Sequence, residues 1–253
     1  MTDKDISLQL KEYVGKARKV YIVTGKNPDI DVLCSAVCLH DEFTLRDKEV
    51  TLFAPELQEE REKVLFGVEN LFTYLPEQRT TVKVNVEGRG VKKVNYELKD
   101  NSLSFYITPR EGQIYREDVN VYTPKLKADL VITLGVQKPE NLTQWPHTWA
   151  QEFEQEGAVI NIDNSPHNTL FGSSDVVEPT AKTMVQLIKD VIQKLEWNMS
   201  ADSASILMQG LVSKTKQFTH NVDPEIFSLA AYLMSKKGKV PSKKVKEDVD
   251  LDG

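Results

Sequence analysis

The fold turns on NIDNSPHN, residues 161–168. The stretch continues the apolar run Ala158-Val159-Ile160, so it reads as a buried strand that passes into a polar loop at Asp163. Open α/β sheets collect their ligand-binding groups at the carboxyl ends of strands, and an Asp in that position is a candidate site residue. The next polar residues, Asn164 and Ser165, are weak bases and poor metal ligands. The loop therefore has the position of a chemical site without the usual chemistry.

Outward from this loop the same pattern recurs. Lys19–Thr24 (KVYIVT) runs into Gly25, Glu49–Ala54 (EVTLFA) into Pro55, and Asp129–Leu134 (DLVITL) into Gly135; each is a short apolar strand closed by a turn residue. Asp31–Thr44 has apolar residues at 32, 33, 36, 37, 39 and 43, the spacing of a helix packed on one side. Asp29 or Asp31 would cap it. A short helix is expected over Leu57–Phe66, and amphipathic helices over Thr180–Leu195, Ala201–Phe218 and Pro224–Lys236. Alternating strands and helices predict an α/β fold: a mostly parallel sheet with helices on both faces.

Residues 80–123 break the pattern. Val82, Val84 and Val86 alternate with polar residues, as do Val94, Tyr96 and Leu98, and then Leu103, Phe105 and Ile107. Turn signals stand at Gly88–Gly90 and Asp100-Asn101. This predicts an inserted antiparallel β meander of three strands within an α/β domain over residues 1–240. Residues 241–253 are expected to be a charged, flexible tail. A meander with one apolar face needs cover, and the expected cover is the parent domain or a second copy, giving a homodimer through 80–123.

Composition narrows the function. The chain has 253 residues and a formal net charge of −6, which disfavours broad nucleic-acid binding. No run of about 18 apolar residues exists, so no membrane span is expected, and the charged start lacks a signal-peptide core. The two cysteines, Cys34 and Cys38, fall on one helical face and read as buried core residues of a reducing compartment. A cytoplasmic protein is expected. His40, His147, His167 and His220 read as structural.

In their order the motifs resemble the DHH phosphoesterase family, in particular its oligoribonuclease and phosphoadenosine-phosphate phosphatase branch. The family's first motif, His-x-Asn-Pro-Asp-x-Asp-x-x-Gly-Ser, is matched by residues 25–35, GKNPDIDVLCS. Its second, an Asp ending an apolar strand, falls where Val131-Ile132-Thr133-Leu134 meets Gly135. Its third, Asn-Ile-Asp-His-His-Pro-x-Asn, is matched by residues 161–168. Its fourth, Thr-Asp-Thr-Gly-x-Phe, is matched by Ser213–Phe218, and Asp223-Pro224-Glu225 opens the following helix. The resemblance implies a DHH-like α/β fold over nearly the whole chain.

It also implies a site, and the chain departs from it. Family members hold two Mn²⁺ or Mg²⁺ ions on the motif His and Asp residues, and the metals bind phosphate and activate water. Here the first-motif His is Gly25, the second-motif Asp is Gly135, the third-motif histidines are Asn164 and Ser165, and the fourth-motif Asp is Lys214. Only Asp29, Asp31 and Asp163 remain. No cofactor is expected; Mn²⁺ or Mg²⁺ enters only if these three still hold it. Lys214 is expected to pair with at least one of them, as a built-in cation. The resemblance also implies a companion domain with a Gly-Gly-x-His loop, and the short charged stretch after Lys239 is not expected to supply it. The expected function is a non-catalytic DHH-like module that binds a protein partner or a small nucleotide through Asn27, Asp29, Asp31, Asp163, Asn164, Asn168 and Lys214. The alternative is a metal-dependent phosphoesterase acting on small nucleotides or short oligonucleotides.

Overall fold

The computed structural model describes residues 3–54, 57, 71–72, 81–122, 128–142 and 157–240. The helix expected over 57–66, apart from Leu57 itself, lies outside the described residues, as do His147 and the 241–253 tail. Contacts divide the chain into two compact units, residues 1–75 with 127–253, and residues 76–126.

The first unit opens with α1 (Asp3–Lys16) and β1 (Lys19–Thr24), then α2 (Ile30–Thr44), β2 (Glu49–Phe53) and the short β3 (Leu71–Phe72). After the insertion come β8 (Leu130–Leu134), β9 (Ala158–Asp163) and β10 (Ser174–Val177), then α3 (Met184–Lys194), α4 (Ala201–Lys214) and α5 (Pro224–Ser235). The sheet has six strands in the order β10-β9-β8-β1-β2-β3, and every neighbouring pair is parallel. The chain enters at β1, moves to one edge, and returns to the other side of β1 with β8. The strand order therefore reverses between β1 and β8, the place where open α/β sheets put ligands. Strands β3 and β10 are too short, or too mixed in polarity, to stand out in the sequence.

One face of the sheet carries Val20, Ile22, Leu52, Ile132, Ile160 and Ile162, which form a single core with the buried residues of all five described helices. Each fully buried Leu or Ile contributes about 1.5–3 kcal/mol. The opposite face carries Val23, Phe53, Val131 and Thr133, which are also buried. Near-continuous apolar strands reflect this burial on both sides.

Helix α2 anchors the others. Gly210 of α4 lies so near it that an added Cβ would stand 3.0 Å from the Cys34 Cβ and 3.2 Å from Val185. Cys34 and Cys38 are free and buried, as expected, and burial pushes the Cys34 thiol up to about 12. At the far end of α2, buried Glu42 accepts the Ser200 N–H at 2.8 Å and Arg46 Nη1 at 2.7 Å. Ser200 is the N-cap of α4, so an acid of α2 fixes where α4 begins. No helix among the described residues is long and apolar enough to cross a membrane.

The second unit corrects the expected three-stranded meander. It holds two antiparallel pairs, one nested in the other: β4 (Thr81–Val84) with β7 (Val119–Tyr122), and β5 (Val91–Lys99) with β6 (Ser102–Pro109). Asp100 and Asn101, with φ of 49° and 59°, make the two-residue turn between β5 and β6, the left-handed pair such tight hairpins favour. At the glycine turn, Gly88 and Gly90 take φ of 73° and 60°. There Arg89 crosses to Asp118 in a bidentate pair. That cross-link holds β4 against the sequence-distant β7, a pairing no local alternation can reveal.

Candidate functional site

The carboxyl ends of β1 and β8 meet at two glycines. Gly25 donates its N–H to the Leu134 carbonyl at 3.1 Å, so the β1–β8 ladder runs on into the loop. A Cβ on Gly25 would lie 2.7 Å from the Gly135 carbonyl oxygen, a separation real side chains do not reach. Gly135 itself has φ of 64°, where a residue with a side chain is strained. The backbone has closed on the place where the resemblance puts an imidazole.

Asp29 and Asp31 serve two different helices. Asp29 is the N-cap of α2, its Oδ1 accepting the Val32 N–H at 3.0 Å. Asp31, 2% exposed, reaches across to the start of α3. Its Oδ2 accepts the Met184 N–H at 2.7 Å and its Oδ1 the Val185 N–H at 3.3 Å. Thr183 and Gln186 cap the same end reciprocally. This α3 begins at Met184, later than the expected Thr180, because Thr183 and Asp31 together supply the acceptors that a helix start needs.

Lys214, the last residue of α4, places its Nζ 2.7 Å from Asp29 Oδ2 and 3.9 Å from Asp31 Oδ2. The expected pairing is present with Asp29 and Asp31; no ion pair between Lys214 and Asp163 occurs among the described residues. Burial is the largest influence on Asp31 and pushes its carboxyl up to about 7. The Met184 N–H pulls the other way, Asp29 adds to the rise, and Lys214 and the Val185 N–H lower it again. Burial also works against the Lys214 charge, but Asp29 and then Asp31 outweigh it and hold the ammonium above its ordinary value.

The loop after β9 is a closed hydrogen-bond network. Asp163 Oδ1 accepts the Asn164 N–H at 2.8 Å, and Oδ2 accepts Asn168 Nδ2 at 2.8 Å. The same Asn168 Nδ2 reaches the Val136 carbonyl at 2.9 Å, which ties this loop to the one after β8. Asn161 Nδ2 donates to Asn168 Oδ1 at 2.9 Å and to Asp175 Oδ1 at 3.0 Å, and its Oδ1 accepts from Thr133 Oγ1 at 3.1 Å. Asn164 Nδ2 donates to the Ala181 carbonyl at 3.0 Å. Asn161, the first residue of the third motif, and with it Thr133, Asp175 and Thr183 thus belong to the site framework, although the sequence named none of the four as a site residue. The polar Asn161 inside an apolar strand was their one visible signal.

The loops at this end share strained backbone. Asn27 and Leu170 have φ of 47° and 53°, and Lys216, Gln217 and Phe218 follow one another at 46°, 60° and 61°. Helix α4 therefore stops at Lys214, short of the expected Phe218. Buried Thr215 holds the left-handed turn together. Its Oγ1 donates to the Leu211 carbonyl at 2.7 Å and accepts the Phe218 N–H at 3.1 Å. Lys216 stands where the resembling motif has Gly, the residue this backbone favours. His40 pairs with Asp41 at 3.1 Å and His220 with Thr219 at 3.0 Å, both away from the motif carboxylates.

These donors do not suit a two-metal centre. Both Asp31 oxygens already accept helix N–H groups, Asp29 is held by an ammonium, and Asp163 is held by Asn168 and the Asn164 amide. Among the described residues no group of three or more His, Cys, Asp or Glu side chains could hold a metal ion. Metal–phosphate chemistry needs several such ligands about each ion.

No model of a known protein family matches the sequence. The bifunctional oligoribonuclease and PAP phosphatase NrnA of Thermus thermophilus is 36% identical over 80 residues, which is 31% of this chain and 25% of that protein. The matched stretch thus spans a quarter of the relative's length. Among solved structures, an exopolyphosphatase-related protein from Bacteroides fragilis superposes with a TM-score of 0.66 at 17% identity, over 94% of this chain and 59% of that one. Exonuclease RecJ bound to manganese gives a TM-score of 0.44 at 14% identity, over 92% of this chain and 47% of that one, too distant to bear on the site. The parallel sheet shares its fold with the exopolyphosphatase-related protein, and the short stretch similar to the oligoribonuclease and PAP phosphatase, with the order of the motif loops around the strand ends, supports a DHH phosphoesterase-like domain.

Proposed function

We propose that this is a non-catalytic DHH-like domain that works by binding a protein partner, with Lys214 in the place of a metal ion. The observation that carries the reading is the Lys214 ammonium, 2.7 Å from Asp29 and 3.9 Å from Asp31. Two carboxylates about 4 Å apart repel by about 4 kcal/mol at an effective dielectric near 20, so the cradle needs a cation, and the chain supplies its own. The Gly25–Gly135 contact and the closed Asp163 network support the same reading, because each removes a ligand or its space. A small nucleotide is the second reading, favoured by the likeness to an oligoribonuclease and PAP phosphatase. Asn27, Asn164, Asn168 and Lys214 would then line its site. The free, buried cysteines support a cytoplasmic setting.

The test is calorimetric titration of the full chain with Mn²⁺ and Mg²⁺, alongside phosphate release from a short oligonucleotide and from phosphoadenosine phosphate. Without a bridging carboxylate and imidazoles, water stays a poor nucleophile near neutral pH. No saturable metal binding and no turnover above background are expected. Turnover that disappears in Asp163→Ala would overturn the proposal and install the phosphoesterase reading.

A further inference from the structure

We infer that the β5–β6 hairpin is a homodimer interface, its apolar face packing on the same face of a second copy. The register sets Val94 opposite Ile107, Tyr96 opposite Phe105 and Leu98 opposite Leu103. Residues spaced by two in a strand share a face, so these six side chains form one continuous apolar strip. Ile107 is half-buried. The other five are exposed in the folded chain, Tyr96 and Leu98 to 75% each, Val94 to 57%, Leu103 to 54% and Phe105 to 52%. The other face of the hairpin is polar, with Lys93, Glu97 and Lys99, and Tyr106 donates to Glu97 across it at 3.1 Å. The six residues of the strip carry no charge, and Lys92, two residues before Val94, stands at its end beside the irregular register at Val91/Lys93.

A two-stranded hairpin is marginally stable in water and gains from a covered face. The size of the strip fits a second copy. Its exposed apolar surface is on the order of 600 Å². Two copies face to face would bury roughly 1,200 Å², the lower bound for a specific, stable interface.

The pattern also suits a two-fold axis. Tyr96 and Phe105 stand at the middle of the strip, with Val94 and Ile107 at one end and Leu98 and Leu103 at the other. An axis through the aromatic pair sets ring against ring at the centre, and lays the Leu end of each copy over the Val–Ile end of the other. This is the self-matching that an isologous contact requires. Three lysines against one Glu and one Asp over residues 91–109 leave the hairpin near neutral, so like copies do not repel strongly. The inference does not depend on whether the Asp29–Lys214 site binds metal, and its test is separate.

Light scattering after size exclusion, on the full chain from low to high micromolar concentration, is the experiment. A concentration-dependent dimer is expected, with association weakened at least about tenfold in Tyr96→Glu or Leu98→Glu. Lys93→Glu, on the polar face, should leave the dimer intact. Because Cys34 and Cys38 are buried, Tyr96→Cys gives an independent readout: mild oxidation should link two copies near the axis, whereas Lys93→Cys should not. A chain that stays monomeric at high micromolar concentration overturns the inference, and so does a dimer untouched by Tyr96→Glu and Leu98→Glu.

Discussion

Asp31 gives the sharpest test of whether the old motif carboxylates now serve structure. In the folded chain its carboxyl is pushed by burial from an ordinary 3.8 up to about 7. A tenfold change in proton affinity is worth about 1.4 kcal/mol, so this rise corresponds to about 4 kcal/mol. The folded value lies above the unfolded one, so the native state holds the proton more tightly. Asp31's contribution to stability is therefore fully present below about pH 4 and lost as pH rises through about 7.

Asp31→Asn keeps an oxygen for the Met184 N–H and removes the buried charge. At pH 8 it regains that loss of about 4 kcal/mol, which is already net of the attraction to Lys214 and of the Met184 and Val185 N–H groups. A net stabilisation of about 3–4 kcal/mol is expected there. At pH 5, where the native Asp31 is already neutral, the same variant should fall within about 1 kcal/mol of the parent. Asp31→Ala at pH 5 leaves the Met184 and Val185 N–H groups without that acceptor and should cost about 2–4 kcal/mol. Urea unfolding of the three proteins between pH 5 and 8 measures all of this. If Asp31→Asn is destabilised by more than about 3 kcal/mol at both ends, or its difference from the parent does not move with pH, the assignment of Asp31 to the start of α3 is wrong.

Two further substitutions probe the surrounding backbone. Gly25→His puts back the residue type of the resembling motif, but its Cβ meets the Gly135 carbonyl at 2.7 Å. A loss of about 1–3 kcal/mol in urea unfolding is expected, with no gain of Mn²⁺ binding by calorimetry; a stable, metal-binding variant would show that the loop opens freely. Lys216→Gly should stabilise by about 0.5–1 kcal/mol, because φ of 46° is strained for Lys and open to Gly. An unchanged or lower unfolding midpoint would mean that the Lys216 side chain offsets that strain.

The strands β1, β2, β8 and β9 were legible because each is a short apolar run closed by Gly, Pro or an Asp loop, and burial on both faces leaves no alternation to confuse them. The order of the motif loops was legible for the same reason: they stand directly after those strands. Lys214 was readable as a charge opposite carboxylates, since its motif position already placed it among Asp29, Asp31 and Asp163. Which of the three it meets was not. That depends on where α4 stops, and the stop is set by a left-handed turn that Thr215 holds through its own hydroxyl.

The insertion failed in the same manner. Alternation marked its strands, and Asp100-Asn101 marked its central turn. The partner of β4 is β7, however, distant in the chain and fixed by the Arg89–Asp118 pair. Asp31 is the clearest division of all. By itself the sequence determined that carboxylates stand at the start of α2, because capping acts over three or four residues and leaves a local mark. Only the tertiary structure decided that Asp29 is the cap and that Asp31 is spent on the amides of Met184 and Val185. Met184 lies 153 residues further along the chain, and its position is set by packing between helices, which no local pattern encodes.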